Sequence, residues 1–229
     1  MTKKRTRLVK LVASPPEPPD LSFSIQFKTQ GQRNAWNVIH QNRVTFLSGK
    51  AGTAKTHLAV AYALKSTIEW QNHSKIFVIR PAIEAGERNG ALPGSIEDKM
   101  RPFLTPVFSI LDKICHGNPV LKAHANKILE ILAVGYIRGV TFEDSIVIMD
   151  EAQNLTKSQM RMFLTRLGPN SKLILCGDTQ QSDIDDKSVL LRTAQIQSQH
   201  AGVGWYRFGP EDQVRDPLVN LLDDSMESV

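Results

Sequence analysis

The sequence feature that most constrains the fold is the stretch of residues 49–56, Gly-Lys-Ala-Gly-Thr-Ala-Lys-Thr. It follows residues 44–47, whose apolar run predicts a short strand, and it leads into residues 55–69, whose apolar spacing predicts a helix. A glycine-rich turn between a strand and a helix presents backbone N–H groups and the helix N-terminus to an anion. The stretch is therefore predicted to be a phosphate-binding loop in an α/β fold.

The rest of the chain alternates short apolar runs with segments of helical periodicity. Further strands are predicted at residues 76–79, 145–149, 173–176 and 204–208. Further helices are predicted at residues 32–40, 157–167, 189–199 and 217–222. Residues 95–132 look mainly helical, and periodicity leaves open whether residues 128–134 end that region or form another strand. This alternation predicts a three-layer, RecA-like fold with a mainly parallel sheet, helices on both faces and ligands at the carboxyl ends of the strands.

The first 21 residues differ in composition from the rest of the chain. Five of the 28 basic residues precede the first acid, Glu17, and the remaining 23 are balanced by 23 acids. Residues 14–19, Ser-Pro-Pro-Glu-Pro-Pro, are typical of a stiff, extended linker. We expect a basic, proline-rich, disordered tail at residues 1–21 and a single domain at residues 22–229. The tail is either an arm that attracts nucleic acid or a solvated leader.

Composition argues against membrane-bound, secreted and zinc-binding classes of protein. No apolar run approaches the roughly 20 residues that span a bilayer, and the first 13 residues lack the apolar core of a signal peptide. Two cysteines are too few for a disulfide framework, and the histidines do not fall at zinc-ligand spacing. These observations favour the reducing cytoplasm.

Each residue of the loop has an expected role. Those predicted to bind the nucleotide phosphates are Gly49, Lys50, Ala51, Gly52, Thr53, Ala54, Lys55 and Thr56. Lys55 would reach the β- and γ-phosphates, and the hydroxyl of Thr56 would bind Mg²⁺. Ala54 stands where the pattern has glycine, so its methyl group either forces an uncommon backbone angle or crowds the phosphates.

A second element, residues 146–151, places two acids at the end of a predicted strand. Its sequence is Ile-Val-Ile-Met-Asp-Glu. Asp150 is expected to hold Mg²⁺ together with Thr56, and Glu151 to polarise the attacking water as a general base. An acidic pair before a helix is also a common N-cap, but its occurrence together with the phosphate loop favours the catalytic interpretation.

A third element, Gly-Asp-Thr-Gln-Gln at residues 177–181, also follows a predicted strand. A glutamine here, Gln181, would sense the γ-phosphate and couple hydrolysis to movement of the loop. The alternative is a polar β-turn, which the Gly-Asp pair favours by itself.

Together these elements resemble the PhoH-like family, whose fold is similar to the first core domain of superfamily 1 helicases. Other stretches that resemble the family are residues 80–87, 92–94, 136–142, 150–154, 162–168 and 214–219. The resemblance runs from about residue 29 to residue 222. The chain is similar to the short, phage-type form, without the nuclease domain of some relatives, and for a phage protein the expected location is the host cytoplasm.

The resemblance implies binding and hydrolysis of ATP with Mg²⁺, and a link to RNA or single-stranded DNA. Gln32 resembles the adenine-contacting glutamine of helicase-like proteins, with Gln30 as an alternative. The residues that the resemblance places on a nucleic-acid backbone are Arg80, Arg138 and Thr141. For the two arginines the alternative is ion pairing with nearby acids, namely Glu84, Glu87 and Glu143.

The resemblance also implies a closed homo-oligomer, most simply a hexameric ring. Helicases of the resembling class use two core domains, the second of which supplies arginines to the γ-phosphate, and this chain has room for one. A neighbouring subunit would then supply the arginine finger, with Arg166 and Arg215 as candidates. The alternative for both is a surface or helix-capping charge.

Two other classes of function stay open. A nucleotide-binding scaffold with little turnover would be consistent with Ala54. A P-loop kinase acting on a small molecule is disfavoured by the adjacent Asp150 and Glu151, which suit activation of water.

Overall fold

The computed structural model describes residues 21–81, 96–178 and 189–226. Within these ranges the strands are β1 (Val44–Ser48), β2 (Lys75–Arg80), β3 (Leu129–Ala133), β4 (Ser145–Met149), β5 (Lys172–Gly177) and β6 (Val203–Arg207). The α-helices are α1 (Gln30–Gln41), α2 (Lys55–Leu64), α3 (Ile96–Ile114), α4 (Pro119–Ile128), α5 (Lys157–Leu164), α6 (Val189–Gln197) and α7 (Pro217–Met226). None of the helices described is long and apolar enough to cross a membrane.

The strands form one sheet in the order β3-β2-β4-β5-β1-β6, and every neighbouring pair is parallel. The three central strands, β4, β5 and β1, are buried along their whole length, as expected for a parallel sheet covered on both faces. Because all strands run the same way, their carboxyl ends meet at one edge. The segments that follow β1, β4 and β5 therefore start side by side, and this edge carries the site.

Helices cover both faces of the sheet. Alternate residues of each strand point to opposite faces, so Ile146 and Ile148 of β4 belong to one core and Val147 and Met149 to the other. The first core is closed by α1 to α4, and the second by α5 and α6. The prediction of a three-layer α/β fold with a parallel sheet is confirmed.

Some boundaries differ from those predicted. The region left open is part helix and part strand: α4 ends at Ile128 and β3 follows directly at Leu129–Ala133. The α-helical part of α2 stops at Leu64 and continues as one π-helical turn at Lys65–Glu69. Residues 1–20 lie outside the described part of the chain, so the basic tail stays a prediction.

The extended segment before α1 packs on the first core. Phe27 stacks edge-on against Trp36, with ring centroids 5.5 Å apart, and Trp36 in turn contacts Tyr62 of α2 at 5.0 Å. Aromatic pairs of this geometry fix the path of a chain that has no strand or helix of its own. The segment is thereby carried past the start of α2, where Gln26 and Lys28 line the same cavity as the phosphate loop.

Candidate active site

The predicted phosphate loop lies between β1 and α2, at the carboxyl edge of the sheet. Its glycines are required by backbone angle and by close approach. Gly52 has a φ of +87°, and a methyl group there would lie 2.6 Å from Cγ of Arg215. Gly49 has a φ of +151°, and a methyl group there would lie 2.8 Å from Cβ of Phe208. Neither position accepts a side chain without displacing a neighbour.

Lys55 begins α2 and is 9% exposed. Its Nζ donates to the carbonyl oxygens of Gly49 at 2.6 Å and Lys50 at 2.9 Å. Burial lowers the pKa of Lys55, and the nearby carboxylate of Asp178 opposes that change most strongly, with Glu151 acting in the same direction. The ammonium group of Lys55 is thus desolvated and donates to neutral carbonyl oxygens. Charged phosphate oxygens would be stronger acceptors and could replace these carbonyls.

Ala54 precedes α2 in the left-handed conformation, with φ 67° and ψ 25°. Of the two predicted consequences of alanine at this position, the structure has the uncommon backbone angle. A non-glycine residue in this region carries a cost of about 1–2 kcal/mol. The loop therefore keeps the backbone path that glycine would take, with a methyl group added to it.

The two residues predicted to hold Mg²⁺ lie together. The hydroxyl of Thr56 donates to Oδ1 of Asp150 at 2.6 Å, although the residues are 94 positions apart in the chain. Burial raises the pKa of Asp150, and Arg80 is the main influence that lowers it. A hydroxyl and a carboxylate are the oxygen ligands that Mg²⁺ takes beside substrate phosphates. The described residues contain no cluster of three or more His, Cys, Asp or Glu side chains able to hold a metal by themselves.

Contact with a nucleic acid stays a prediction for Arg80, which lies beside the two acids of the site. Its Nε is 3.1 Å from Oδ2 of Asp150, and its Nη2 is 3.3 Å from Oε1 of Glu151. The cause is sheet order: β2 is the neighbour of β4, with Ile79 opposite Met149, so the next residues of both strands adjoin. Ion pairing was the alternative, but with different acids; Glu84 and Glu87 lie outside the described residues.

Gln153 is a site residue that the sequence reasoning missed. Its Nε2 donates to Oε2 of Glu151 at 2.7 Å, and its Oε1 accepts the backbone N–H of Asp178 at 2.9 Å. Glu151 itself has a φ of 55°, in the left-handed region, which turns its carboxylate back toward the sheet edge. Gln153 therefore ties the predicted general base to the start of the loop after β5. The predicted sensor, Gln181, lies outside the described residues.

The two candidate arginine fingers lie in different places. Arg215 lies against Gly52 of its own chain, and the neighbouring N–H of Val214 donates to the Gly52 oxygen at 3.1 Å. Its supply to the site of a neighbouring subunit stays a prediction. Arg166 donates to the carbonyl oxygens of Met162 at 3.2 Å and Val140 at 3.3 Å, as the helix-capping alternative requires.

The remaining predicted residues divide between the cavity and the surface. Gln32 lines the cavity, and its Oε1 accepts the backbone N–H of Lys28 at 2.7 Å. The alternative, Gln30, is exposed and donates to Oδ1 of Asn34 at 3.0 Å. Arg138 and Thr141 are both exposed on the segment between β3 and β4, away from the cavity lining.

One cavity of about 650 Å³ joins these parts of the site. Its walls run from Gln32 and Lys28 at one side, past Lys55, to Asp150 and Glu151 at the other. The volume falls within the range of roughly 300–1,000 Å³ that is usual for small-molecule sites. The residues predicted to bind adenine, phosphate and the metal therefore line the same cavity.

The fold and the site define the class: a P-loop protein with a parallel α/β core, of the architecture shared by nucleotide-binding ATPases and helicase domains. The loop after β1, the Thr56–Asp150 contact and the acid that follows are the features that place it there.

The chain belongs to the PhoH-like family, whose model, described as PhoH-like protein, matches residues 24–227. It is 40% identical over 198 residues to the PhoH-like protein of Bacillus subtilis (strain 168), a match that covers 86% of this chain and 62% of that one. It is 37% identical over 196 residues to Protein PhoH of Escherichia coli (strain K12), covering 83% and 55%. The chain thus spans somewhat more than half the length of these relatives.

Two solved structures match the chain with low scores. The SWI2/SNF2 ATPase core of Sulfolobus solfataricus in complex with double-stranded DNA matches with a TM-score of 0.39 and 14% identity, over 65% of this chain and 30% of that one. Domain III of the replication initiation protein DnaA of Thermotoga maritima matches with a TM-score of 0.38 and 14% identity, over 86% and 70%.

Proposed function

We propose that the protein hydrolyses ATP to ADP and phosphate with Mg²⁺ as cofactor. The observation that carries this proposal is the 2.6 Å contact between Thr56 and Asp150, in a cavity that Lys55 and Glu151 also line. This set of residues contains a phosphate cation, two oxygen ligands for a metal and a candidate base, which are the parts that water-activating P-loop enzymes need.

Each residue has a role in the proposed reaction. Lys55 and the loop N–H groups bind and orient the phosphates, and Thr56 with Asp150 would hold Mg²⁺, which supplies charge neutralisation on the phosphate oxygens. Glu151 orients the attacking water and accepts its proton as the water oxygen bonds to the γ-phosphorus. The bond from the γ-phosphorus to the bridging oxygen breaks, and ADP leaves with that oxygen.

Phosphate release is the direct test, with Glu151→Gln as the main variant. The glutamine keeps the shape but cannot accept a proton, so turnover should fall by about 10²–10⁴-fold while ATP binding persists. Glu143→Gln is the matched control, since Glu143 is exposed and lies outside the cavity lining. A Glu151→Gln protein as fast as the parent would remove Glu151 as the base. Absence of turnover in the parent, with ATP still bound, would favour the scaffold alternative.

The same assay addresses the kinase alternative and the nucleic-acid partner. Phosphate released in equal amount to ATP consumed excludes transfer to a small molecule. We propose RNA or single-stranded DNA as the partner, supported by the family resemblance and by the exposed Arg138 and Thr141. Stimulation of phosphate release by one polymer over the other identifies which it is, and no stimulation by either contradicts this part of the proposal.

A homohexameric ring and a cytoplasmic location stay predictions. Both candidate fingers, Arg166 and Arg215, stay open, and Arg166 is the simpler one to vary because Arg215 packs against Gly52 of its own chain. Mass measurement in solution tests the ring. Mixing an Arg166→Ala protein with a Lys55→Ala protein tests the shared site, since partial recovery of turnover requires residues from two subunits.

A further inference from the structure

We propose that Arg80 is a catalytic arginine of this site, supplied by the same chain and acting whether or not a neighbouring subunit supplies a second one. In the nucleotide-free protein it neutralises Asp150 and Glu151, and with Mg²⁺ and ATP bound it turns from these acids to the γ-phosphate. This inference rests on the proposed ATPase function and specifies how its transition-state charge is stabilised.

The position of Arg80 is set by the sheet. It is the last residue of β2, and Ile79, the residue before it, pairs with Met149 of β4. The backbone N–H of Asp150 donates to the oxygen of Ile79 at 2.9 Å, which continues the ladder to the last residue before the site. Arg80 is therefore held beside the acids by strand pairing rather than by a loop.

The guanidinium contacts both acids at once. Its Nε is 3.1 Å from Asp150, whose side chain is 6% exposed, and its Nη2 is 3.3 Å from Glu151. The Arg80 side chain is itself only 13% exposed. An unpaired charge on buried Asp150 would be costly, so Arg80 stabilises it in the metal-free site, and it also pairs with Glu151, whose side chain is 45% exposed.

Binding of the metal and nucleotide changes what attracts Arg80. A divalent cation held by Asp150 would repel a guanidinium at the same carboxylate. A bound γ-phosphate would offer further oxygens, and the planar fork of arginine suits phosphate oxygens. Arg80 therefore exchanges Asp150 for phosphate when the site fills.

The distance to be covered is short. Glu151 can act as a base only if the attacking water lies between its carboxylate and the γ-phosphorus, so the γ-phosphate lies next to Glu151. Arg80 already contacts Glu151, with Nη2 3.3 Å from Oε1, so a phosphate next to Glu151 would also lie near the guanidinium. Movement of Arg80 away from Glu151 would leave Oε1 able to accept a proton, while Gln153 still donates a hydrogen bond to Oε2.

Three variants test the role in turnover. Arg80→Gln removes the charge, and loss of an arginine finger costs about 10³–10⁵-fold in rate, so turnover should fall by at least about 10²-fold. Arg80→Lys keeps the charge without the two-point contact and should recover part of the loss. Arg207→Gln is the matched control, because Arg207 also ends a strand at the carboxyl edge but is exposed. It should turn over at the parent rate.

Two binding measurements separate a catalytic role from a structural one. Titration calorimetry with Mg²⁺ alone should show about tenfold tighter binding to Arg80→Gln than to the parent, because Asp150 no longer has a competing cation. ADP with Mg²⁺ and aluminium fluoride, which mimics the transferring phosphoryl group, should bind Arg80→Gln at least about tenfold more weakly than the parent. Binding of ADP with Mg²⁺ should be equal in the two proteins.

Parent turnover in Arg80→Gln overturns the inference and leaves the proposed ATPase function in place. Lost turnover with unchanged binding of Mg²⁺ and of the aluminium fluoride mimic also overturns it, because Arg80 would then only support the fold. Should Arg80→Gln not fold, the binding measurements are made on Arg80→Lys, where parent-like affinity for the mimic together with parent turnover contradicts the inference. A parent protein without turnover overturns this inference and the ATPase function together.

Discussion

Two lysines are buried at opposite edges of the sheet, and their surroundings differ. Lys55, at the start of α2, is 9% exposed, and Lys172, at the start of β5, is 7% exposed. Both donate to backbone carbonyls: Lys55 to those of the phosphate loop, and Lys172 to those that end α1, at Ile39 and Asn42. Burial lowers the pKa of both, and that of Lys172 falls to about 8.

The difference lies in the charges and the space around each ammonium group. Lys55 faces a cavity, and the carboxylates of Asp178 and Glu151 favour its charged form. The charged group near Lys172 is Arg43, which lowers its pKa further. The ring of Tyr62 lies 5.3 Å from its Nζ. Burial and a shifted pKa therefore do not identify a functional lysine. The feature that separates Lys55 from Lys172 is a cavity that it lines together with Asp150, Glu151 and Asp178.

The largest expected effect comes from removing the charge of Lys55. Lys55→Met should lower phosphate release by at least about 10²-fold, because one phosphate ligand and its charge are lost. Lys172→Met should leave release unchanged, since Lys172 contacts the end of α1 and the ring of Tyr62 and does not line the cavity. The two variants are compared in one assay at saturating and limiting ATP. Equal losses in both would mean that the comparison between the two lysines is wrong.

For the free energy of unfolding we expect the reverse order, with the larger loss in Lys172→Met and the smaller in Lys55→Met. Lys172→Met leaves the carbonyls of Ile39 and Asn42 without their donor at the buried end of α1. The free energy of unfolding should fall by about 1–3 kcal/mol, the usual cost of unsatisfied buried groups. Urea denaturation followed by circular dichroism measures it. Lys55→Met is the matched control, since Lys55 lines the cavity, where water can bond to the freed carbonyl oxygens of the loop.

The pH dependence of stability gives a sharper test of Lys172. Its pKa is about 8 in the folded protein and about 10.5 when unfolded, so between these values the unfolded chain binds more protons. Stability from this group therefore rises as pH increases above about 8, where the cost of burying the charge disappears. Buried Tyr62, with its pKa raised to about 12, acts the other way above pH 10.

The measurement is the difference in unfolding free energy between the parent and Lys172→Met, from pH 7 to 9.5, where Tyr62 contributes little. The unfolding free energy of the parent should exceed that of Lys172→Met by a growing amount as the pH rises. A constant gap would show that Lys172 keeps its ordinary pKa in the folded protein.

The sequence predicted the parts of the site that can be recognised from their neighbours along the chain. The phosphate loop and Asp150 each follow a buried strand, and such strands are recognisable from apolar runs. The contacts of Arg80 with Asp150 and of Gln153 with Asp178 were not predicted, because they depend on which strands are neighbours in the sheet. Nothing in residues 75–80 shows that β2 adjoins β4 and not β1.

The smallest expected effect is that of Ala54→Gly, one residue from Lys55. The methyl group of Ala54 sits on a backbone with φ 67° in the nucleotide-free protein. Its strain of about 1–2 kcal/mol is therefore present before and after nucleotide binds, and it cancels from the affinity. Glycine also gains about 0.4–1 kcal/mol of freedom in the unfolded chain, which offsets most of the relief on folding.

We therefore expect Ala54→Gly to change ATP affinity by less than about twofold and the free energy of unfolding by less than about 1 kcal/mol. Gly52→Ala is the contrasting variant, because its φ of +87° and the approach of Arg215 make an added methyl group strained and crowded. It should weaken ATP binding much more than Ala54→Gly changes it. Calorimetric titration of the two variants and the parent decides this. A tenfold gain in affinity from Ala54→Gly would show that the methyl group crowds the phosphates themselves, and that Lys55 works beside a partly obstructed loop.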